Sequence, residues 1–483
     1  MYSQEDNIKK ALISIKKKNY EEAKFFLLEI LNNTKNIKIS EKIYYLLFLS
    51  FDGLKETRNA KKYLEKCLKI NNKNHIALNN LANILLKEGN IYRAEKLYLK
   101  SLEYKNDYLI AIANLAILYQ NIGRHEDAKN HYLRLIKLSP KKISIYFNLS
   151  RIDKNFIDNE KLEYLSNLIK NEELDLSDMA YGFFLLAENE RKKKNFTKEI
   201  EYLKKAHEKA FNFNSNISIK TLDYWKNIIP EKYDKFSFVN YDKKTELTDF
   251  KPIFIVGLPR SGSTMTEAIL SSGGTNINAL GETSIFNGII VKEFLSKENC
   301  KIDIDLVCNQ ILTIFDNKNY NIKNKIFTDK SLENFLYIDV ILKVFPKAKF
   351  INTCRNIEDN IFAIFQQYLT KLSWTHSIEN IIDYTNNYLK IIDYFNKKYP
   401  EKIFTINLEE LTNNTKEISK KLYSFCNLKW DDKALNFYNR KDLFISTASN
   451  IQIRNNIKSY EKEKYRPYKE LLKKFSHKYD WID

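Results

Sequence analysis

The chain contains 483 residues, of which 44% are hydrophobic and 13% aromatic, so it can bury the cores of two or three domains. Ten glycines and seven prolines exclude a collagen-like or linker-rich chain and favour long helices. The formal net charge of +18 comes from lysines that are spread along the chain and alternate with glutamates, so we expect solvated helix faces and no nucleic-acid partner.

Signals for secretion, disulfides and metals are weak throughout the sequence. The first residues, MYSQEDNIKK, lack the apolar region of a signal peptide, and no apolar run has the length of a membrane span, so we expect a cytoplasmic protein. Five cysteines are widely spaced without a CxxC pair, which argues against a disulfide framework or a zinc site. Beyond residue 250 the histidines are His376 and His477, both away from the motifs, so we expect no metal.

A 34-residue spacing runs through the first third of the chain. Ala60, Ala94 and Ala128 lie 34 residues apart, and further positions keep the interval: Leu47, Leu81 and Leu115; Asn80 and Asn114; Gly89 and Gly123; Tyr98 and Tyr132. A small residue lets two helices approach closely and a glycine ends the first of them, so the spacing predicts stacked helix pairs. The pattern resembles the tetratricopeptide repeat, and the resemblance implies a solenoid that binds a protein or peptide partner on its concave face.

Weaker copies extend the repeat region in both directions. One lies around Ala23, and a degenerate copy lies at residues 192–210. We therefore predict a helical repeat domain at residues 1–213. Residues 214–248, with mixed charged and aromatic side chains, are predicted to connect it to a second domain at residues 249–483.

The second half begins with a concentration of glycine. Six of the ten glycines fall within the 32 residues from Gly257 to Gly288. Residues 253–256, Ile-Phe-Ile-Val, predict a buried parallel strand, and STMTEAILSS after the loop GLPRSG predicts a helix. A strand, a glycine loop and a helix start in this order point backbone N–H groups and a helix dipole at an anion.

The loop is almost a Walker A sequence, but Ser263 occupies the position of the lysine that reaches nucleoside triphosphates. A basic residue stands instead at Arg260, inside the loop, which argues against ATP or GTP hydrolysis. The sequence resembles the 5′-phosphosulfate loop of sulfotransferases, which bind 3′-phosphoadenosine 5′-phosphosulfate (PAPS). The resemblance implies PAPS-binding roles for five consecutive residues: Arg260, Ser261, Gly262, Ser263 and Thr264.

The resemblance continues downstream, where the segment from Lys251 to NALGETSIF is similar to bacterial tetratricopeptide-repeat sulfotransferases and to tyrosylprotein sulfotransferases. In the latter, a glutamate in a Gly-Glu element is the catalytic base, which implies that role for Glu282. The segment IFTDKSLENFLYI places Lys330 where these families keep a lysine that assists departure of the leaving group.

A third segment, AKFINTCRNIEDNIFAIF, predicts a strand that delivers Arg355 to the start of a helix. It resembles the 3′-phosphate-binding segment of the family, in which an arginine and a serine eight residues later hold that phosphate. Arg355 is present, and Ala363 stands at the serine position. Another departure is Leu408, which replaces the tyrosine of a family YE[DE]L pattern.

The fourth segment, STASNIQIRNNIKSYEKEKY, resembles the family's S-x-x-Q-V element followed by a basic-aromatic pair. Ser449 and Gln452 match the serine and glutamine, and Lys464 with Tyr465 matches the pair. The resemblance implies that Ser449 and Lys464 lie around the phosphosulfate.

These observations predict a helical tetratricopeptide solenoid followed by a P-loop-like α/β domain, three layers with a central parallel sheet, the sulfotransferase fold. The implied activity is sulfuryl transfer from PAPS to a hydroxyl acceptor, with Glu282 as base, Arg260, Lys330 and Lys464 as cations and Ser449 as hydrogen-bond donor. Two other functions stay open: a P-loop kinase or NTPase, and a non-catalytic repeat scaffold that retains nucleotide binding. The acceptor could be a protein tyrosine, a peptide, a saccharide, a lipid or a small phenol.

Overall fold

A computed structural model describes most of the chain, namely residues 4–33, 37–170, 174–240, 246–275, 277–295, 300–318, 320, 325–440, 444–445, 447, 453–457, 459–461 and 463–481. The chain folds into two compact units. The first comprises Met1–Gln120, Arg124–Pro140 and Leu312–Asn321, and the second comprises Asn121–Gly123, Lys141–Ile311 and Ile322–Asp483. Among the described residues, no helix combines the length and apolar character needed to cross a membrane.

The first unit is built from paired helices. Their bounds are α1 Gln4–Lys16, α2 Tyr20–Asn33, α3 Ile37–Gly53, α4 Thr57–Ile70, α5 His75–Lys87, α6 Ile91–Tyr104, α7 Leu109–Ile122 and α8 His125–Leu138. The alanines of the 34-residue spacing, Ala60, Ala94 and Ala128, are completely buried, as the close approach of paired helices requires. Gly89, which follows α5, has φ 78°, a left-handed conformation that glycine adopts without strain. The predicted repeat architecture is confirmed.

Further helices open the second unit: α9 Ile143–Ile152, α10 Asn159–Lys170, α11 Leu176–Lys192, α12 Phe196–Phe213 and α13 Ser215–Asp223. α11 and α12 pack together as a pair. The residues predicted as a connector contain α13 and strand β1, Ser237–Val239. The predicted boundary at residue 213 stays a prediction, and the two compact units meet in sequence at residues 140 and 141.

The centre of the second unit is a five-stranded sheet in which every paired strand is parallel, with the order β3-β5-β2-β6-β7. Its strands are β2 Ile253–Gly257, β3 Asn278–Ala279, β5 Phe327–Asp329, β6 Lys349–Cys354 and β7 Ile403–Asn407, and β4 Lys301–Asp303 pairs with β1. The helices after residue 262 are α14 Ser263–Ser272, α15 Ile285–Glu293, α16 Ile304–Asn317, α17 Ile338–Val344, α18 Ile357–Phe365, α19 Ile378–Lys398, α20 Leu408–Asn413, α21 Thr415–Phe425 and α22 Lys469–Lys473. The sulfotransferase fold predicted from the sequence is confirmed.

The central strand β2 is buried at all five positions, because both faces of the sheet are covered. Ile253 and Ile255 pack on one face with an aliphatic cluster from β6, α14 and α21. On the other face Phe254 contacts an aromatic cluster whose members are Phe286, Phe327, Phe345 and Phe350. The alternation follows the two-residue period of a strand and fixes the register that aims the loop after Gly257.

A buried carboxylate ties α12 to the end of the chain within the second unit. Glu199 is completely buried and accepts hydrogen bonds from Arg191 Nε at 2.7 Å, Gln366 Nε2 at 3.0 Å and the hydroxyl of Tyr468 at 2.6 Å. A buried carboxylate is tolerated only when it is satisfied in this way. Glu199 therefore anchors the segment around Tyr468 to the helices that open the unit.

A histidine pair joins α12 to a later segment of the same unit. His207 is completely buried, and its Nε2 donates to the carbonyl of Phe365 at 2.7 Å. Its Nδ1 lies 3.1 Å from Nδ1 of His376. Burial and the neighbouring imidazole lower the pKa of His207 to about 3, and burial lowers that of His376 to about 4. Both rings are therefore neutral at physiological pH.

Candidate active site

The predicted site residues follow the carboxyl ends of adjacent strands. Because the strands are parallel, these ends meet at one edge of the sheet, the usual place of a ligand site in such folds. The glycine loop follows β2, Arg355 follows β6, Lys330 follows β5 and Glu282 lies three residues after β3. Residues as far apart in sequence as Arg260 and Arg355 therefore lie at the same edge of the sheet.

The glycine loop has a backbone that few side chains permit. Gly257 has φ 139°, and a Cβ at this position would overlap the backbone carbonyl oxygen of Thr353. Gly262 has φ 95° and caps the N-terminus of α14 without a side-chain hydrogen bond. A Cβ at Gly262 would lie 2.8 Å from Cδ1 of Leu408. Both glycines are therefore required for the loop to approach its neighbours and to present the first turn of α14 to a ligand.

Hydrogen bonds from the loop and from β6 and α18 hold its shape. The hydroxyl of Ser261 donates to the carbonyl of Leu258 at 2.7 Å and lies 2.8 Å from the hydroxyl of Thr353. The amide of Asn360 donates to the carbonyl of Pro259 at 2.7 Å. Thr353 and Asn360 were not identified from the sequence, because an uncharged residue gives no sign of which loop it supports.

The first residues of α14 are also buried. Ser263 and Thr264 are 6% and 9% exposed, and the hydroxyl of Thr264 lies 3.3 Å from that of Thr447. Their backbone N–H groups belong to the first turn, where a helix has donors to spare. The arrangement fits binding of an anion by the backbone rather than by many side chains.

Arg355, just before the start of α18, lies beside the loop. Its Nη1 donates to the carbonyl of Arg260 at 3.3 Å, and its Nη2 donates to the hydroxyl of Tyr460 at 2.9 Å. The guanidinium carbon lies 5.1 Å from the ring centre of Tyr460 and 5.4 Å from that of Tyr465, within cation–π range. Among the described residues, the Nε of Arg355 is buried and has no hydrogen-bond partner. A buried donor of this kind fits an anionic ligand.

Arg260 lies inside the loop with φ 69°, a left-handed conformation for a residue with a side chain. Burial, with the positive charges of Arg151 and Arg355, lowers the pKa of Arg260 to about 10. The guanidinium is still charged at neutral pH, and the lowered pKa reflects its burial first and the neighbouring positive charges second. The geometry therefore favours a ligand with several negative charges.

Glu282 and Lys330 form an ion pair at the other end of this edge. The Nζ of Lys330 donates to Oε1 of Glu282 at 3.0 Å. The lysine side chain is 1% exposed and that of the glutamate is 57% exposed, so the carboxylate is open to an acceptor while the ammonium is shielded. Burial acts to lower the pKa of Lys330, but the carboxylates of Glu267 and Glu282 outweigh it and raise the pKa above its usual value. The lysine is therefore a permanent cation.

Glu267, on α14, is a second carboxylate at this place that the sequence analysis missed. Its Oε1 accepts from the hydroxyl of Thr328 at 3.0 Å and from the backbone N–H of Gly281 at 3.3 Å. Burial raises the pKa of Glu267, and the charge of Lys330 opposes the rise. The sequence does contain one sign of it, because Glu267 is the single charged residue of the predicted helix STMTEAILSS.

The remaining predicted residues are less closely assembled. Lys464 is exposed, with its Nζ 5.4 Å from the ring centre of Tyr465. Ser449 and Gln452 lie outside the described residues. Ala363 is buried in α18, and Leu408 packs against Gly262. Among the described residues, no cluster of three or more His, Cys, Asp or Glu side chains could hold a metal ion.

Comparison with known proteins finds a family match in each half of the chain. Residues 252–432 match the model of the sulfotransferase family. The second half of the chain contains a sulfotransferase-family domain. Three segments, residues 41–74, 76–108 and 110–142, match the tetratricopeptide repeat. The repeats and the sulfotransferase domain predicted from the sequence are confirmed, and the likeness of that domain to tyrosylprotein sulfotransferases stays a prediction.

Relatives of the whole chain are distant. An uncharacterized protein of Aquifex aeolicus (strain VF5) is 24% identical over 413 residues, which cover 80% of this chain and 52% of that protein. The chain thus spans about half the length of the curated relative that it matches.

Similar solved structures include two sulfotransferases. The sulfotransferase domain of the Synechococcus PCC 7002 olefin synthase is 16% identical, with a TM-score of 0.34 over 50% of this chain and 99% of that one. Sulfotransferase STF1 from Mycobacterium tuberculosis H37Rv is 12% identical, with a TM-score of 0.28 over 66% of this chain and 99% of that one.

Proposed function

We propose that the protein is a PAPS-dependent sulfotransferase that transfers a sulfuryl group to a hydroxyl acceptor. One observation carries the proposal: a cationic glycine loop and an open Glu282–Lys330 pair share one edge of the sheet in a sulfotransferase-family domain. The loop supplies an anion site, and the pair supplies a base beside a cation. No second function has a comparable observation in its favour.

The donor would be held by the loop and by Arg355. Backbone N–H groups of residues 261–264 and the guanidinium of Arg260 fit the phosphosulfate, and Arg355, with its buried Nε, fits the 3′-phosphate. The exposed Lys464 immediately precedes Tyr465, whose ring packs on Arg355, and we propose that Lys464 approaches the donor as well.

PAPS supplies the sulfuryl group, whose bond to a phosphate oxygen breaks as a bond to the acceptor oxygen forms. Glu282 would accept the proton of the acceptor hydroxyl, and its exposure leaves room for that approach. Lys330 would stabilise the negative charge that develops on the departing phosphate oxygen. Glu282 Oε1 also accepts from Lys330 at 3.0 Å, so the base and the cation orient each other.

The repeats are proposed to bind the acceptor or a protein partner, because a solenoid offers a larger surface than a small molecule can occupy. We also propose a cytoplasmic location and the division into residues 1–213, 214–248 and 249–483. The chemical class of the acceptor is left to experiment.

The test is transfer of labelled sulfate from PAPS into fractionated extract of the source organism, followed by identification of the labelled species. Glu282→Gln should abolish labelling. The matched control, Glu417→Gln, removes an exposed carboxylate that pairs with Lys421, and should label normally. Strong stabilisation by ATP with magnesium, and none by 3′,5′-adenosine bisphosphate, would replace the proposal with a kinase or NTPase.

A further inference from the structure

A tyrosine near the end of the chain lies between a cation of the candidate site and a buried carboxylate. The hydroxyl of Tyr460 donates to Oδ2 of Asp359, and it accepts from Nη2 of Arg355 at 2.9 Å. The guanidinium carbon of Arg355 is also 5.1 Å from the centre of the Tyr460 ring, within cation–π range. Tyr460 therefore contacts Arg355 in two ways, through its ring and through its hydroxyl.

Asp359 gives this tyrosine a fixed attachment. It is a buried residue in the first turn of α18, and the side chain of Asn356 caps that helix by accepting from the Asp359 backbone N–H at 3.0 Å. The next residue, Asn360, donates to the carbonyl of Pro259 in the glycine loop. Helix α18 therefore holds the glycine loop at one residue and Tyr460 at the residue before it.

The hydroxyl also keeps the charge of Arg355 available to a ligand. Arg355 and Asp359, which both belong to the described part of the chain, form no direct ion pair, because the Tyr460 hydroxyl lies between them. A direct pair of arginine and carboxylate can be bidentate and would then occupy the donors that an anion needs. Burial and the hydrogen bond to Asp359 raise the pKa of Tyr460, so the hydroxyl keeps its proton at physiological pH. A neutral group thus orients Arg355, whose buried Nε has no hydrogen-bond partner among the described residues.

We propose that Tyr460 is a positioning residue for the donor, which acts through Arg355 and sets the preference for a nucleotide with a 3′-phosphate. The proposal rests on the proposed function, in which Arg355 holds that phosphate. Tyr460 lies outside residues 252–432, the segment that matches the sulfotransferase family model, and the sequence analysis assigned it no role.

The experiment measures binding of 3′,5′-adenosine bisphosphate and of adenosine 5′-monophosphate to the full-length protein by calorimetry. The dissociation constant of the monophosphate divided by that of the bisphosphate reports the contribution of the 3′-phosphate. Tyr460→Phe keeps the ring and removes the hydroxyl, so this ratio should fall about five- to tenfold, the usual effect of losing one hydrogen bond. The affinity for the monophosphate should change less than about twofold.

Tyr399→Phe is the matched control. The hydroxyl of Tyr399 also donates to a carboxylate, Oδ1 of Asp339 at 2.6 Å, but Tyr399 precedes β7 and lies at the opposite edge of the sheet. This variant should leave the ratio unchanged.

A double variant tests whether Tyr460 acts through Arg355. In the Arg355→Gln background, Tyr460→Phe should change the ratio less than about twofold, because the side chain that it orients is gone. A full effect in that background would show that Tyr460 contacts the ligand directly and would overturn the positioning role.

An unchanged ratio in folded Tyr460→Phe overturns the inference and leaves the proposed function intact. An equal loss of affinity for both nucleotides also overturns it, because a general distortion of the loop would give that result. If Tyr460→Phe does not fold, Tyr460→Leu is measured in its place, and an unchanged ratio again overturns the inference. If wild type binds neither nucleotide, the proposed function fails and the inference fails with it, which is distinct from a change confined to the variants.

Discussion

The charged side chains at the two ends of this sheet edge are arranged differently. After β5, the buried Lys330 is balanced by Glu282, with Glu267 close by, so the charges are matched inside the protein. After β6, Arg355 packs on two tyrosine rings and donates to the carbonyl of Arg260. Burial, with the neighbouring positive charges, lowers the pKa of Arg260.

This difference assigns separate tasks. A matched pair is complete without a ligand and is suited to moving a proton, whereas a cluster of cations is completed only by an anion. We therefore expect substitutions at the Glu282–Lys330 end to change the rate or the stability. Substitutions at the arginine end should change donor affinity.

The largest expected effect is on turnover. Glu282→Gln should reduce single-turnover sulfate transfer by about 10²- to 10⁴-fold, the usual worth of a general base. Binding of 3′,5′-adenosine bisphosphate should not weaken, because the arginine end is unchanged. A variant with normal transfer under conditions where chemistry limits the rate would exclude Glu282 as the base.

The next effect is on folding. Lys330→Met leaves Glu267 buried without its cation, so the free energy of unfolding in urea should fall by about 3–5 kcal/mol. Glu282→Gln should cost less than Lys330→Met, because the glutamine amide oxygen still accepts from Lys330 and Glu267 still balances the charge of that lysine. The double variant Glu267→Gln with Lys330→Met should recover part of the loss. No recovery would show that Glu267 and Lys330 are not coupled.

The third effect is on the affinity for the donor, which we expect to depend on Arg260 and Arg355. Arg355→Gln should weaken binding of 3′,5′-adenosine bisphosphate by about 10- to 100-fold, equivalent to about 1.5–3 kcal/mol. Transfer at saturating PAPS should fall much less. Arg58→Gln, an exposed arginine of the first unit, serves as control. A large fall in transfer with unchanged affinity would contradict the division of tasks.

The smallest expected effect is a loss of folding stability in mild acid. We attribute it to two histidines outside the candidate site. Arg260, with its pKa of about 10, and Lys330, with its raised pKa, keep their charges in mild acid. The pKa values of His207 and His376, about 3 and about 4, lie below the unfolded value of about 6.5. Between pH 6.5 and 4 the unfolded chain therefore binds protons that the folded chain does not, and stability falls as the pH falls.

Urea unfolding at pH 7 and pH 5 checks this. The loss of stability between the two pH values should be smaller for His207→Gln, which can still donate to the Phe365 carbonyl, than for wild type. Buried carboxylates with a raised pKa, such as Glu267, increase the stability as the pH falls. Both proteins contain them, so their contribution is the same in each and does not affect the comparison. An identical loss in both proteins would place the acid sensitivity elsewhere.

Contiguous features of this site could be predicted from the sequence. The strand, loop and helix start at residues 253–272 occupy one local segment, and both glycines that the backbone requires were visible as an unusual concentration. The roles of Glu282 and Lys330 were implied by family resemblance, whereas their contact, which joins residues 48 positions apart, was not predicted.

Long-range supports could not be predicted. Glu267, Thr353 and Asn360 act through contacts that depend on how strands and helices are stacked, and periodicity gives no information on that. The 34-residue pattern likewise predicts how two helices pair. It does not predict which neighbours cover the outer face of the pair, and so the helices from residue 141 onward join the second compact unit.

The hydrogen bonds of Glu199 bear on protein engineering. A chimera that exchanges the repeats for another recognition module must keep α12 with the transferase, because Tyr468 and Gln366 would otherwise lose a buried acceptor. The junction for such a graft lies near residue 140, where one compact unit gives way to the other, and not at the end of the last helical hairpin. Libraries of replacement repeat modules could be joined at that position without altering the strand edge that carries Arg260, Glu282, Lys330 and Arg355.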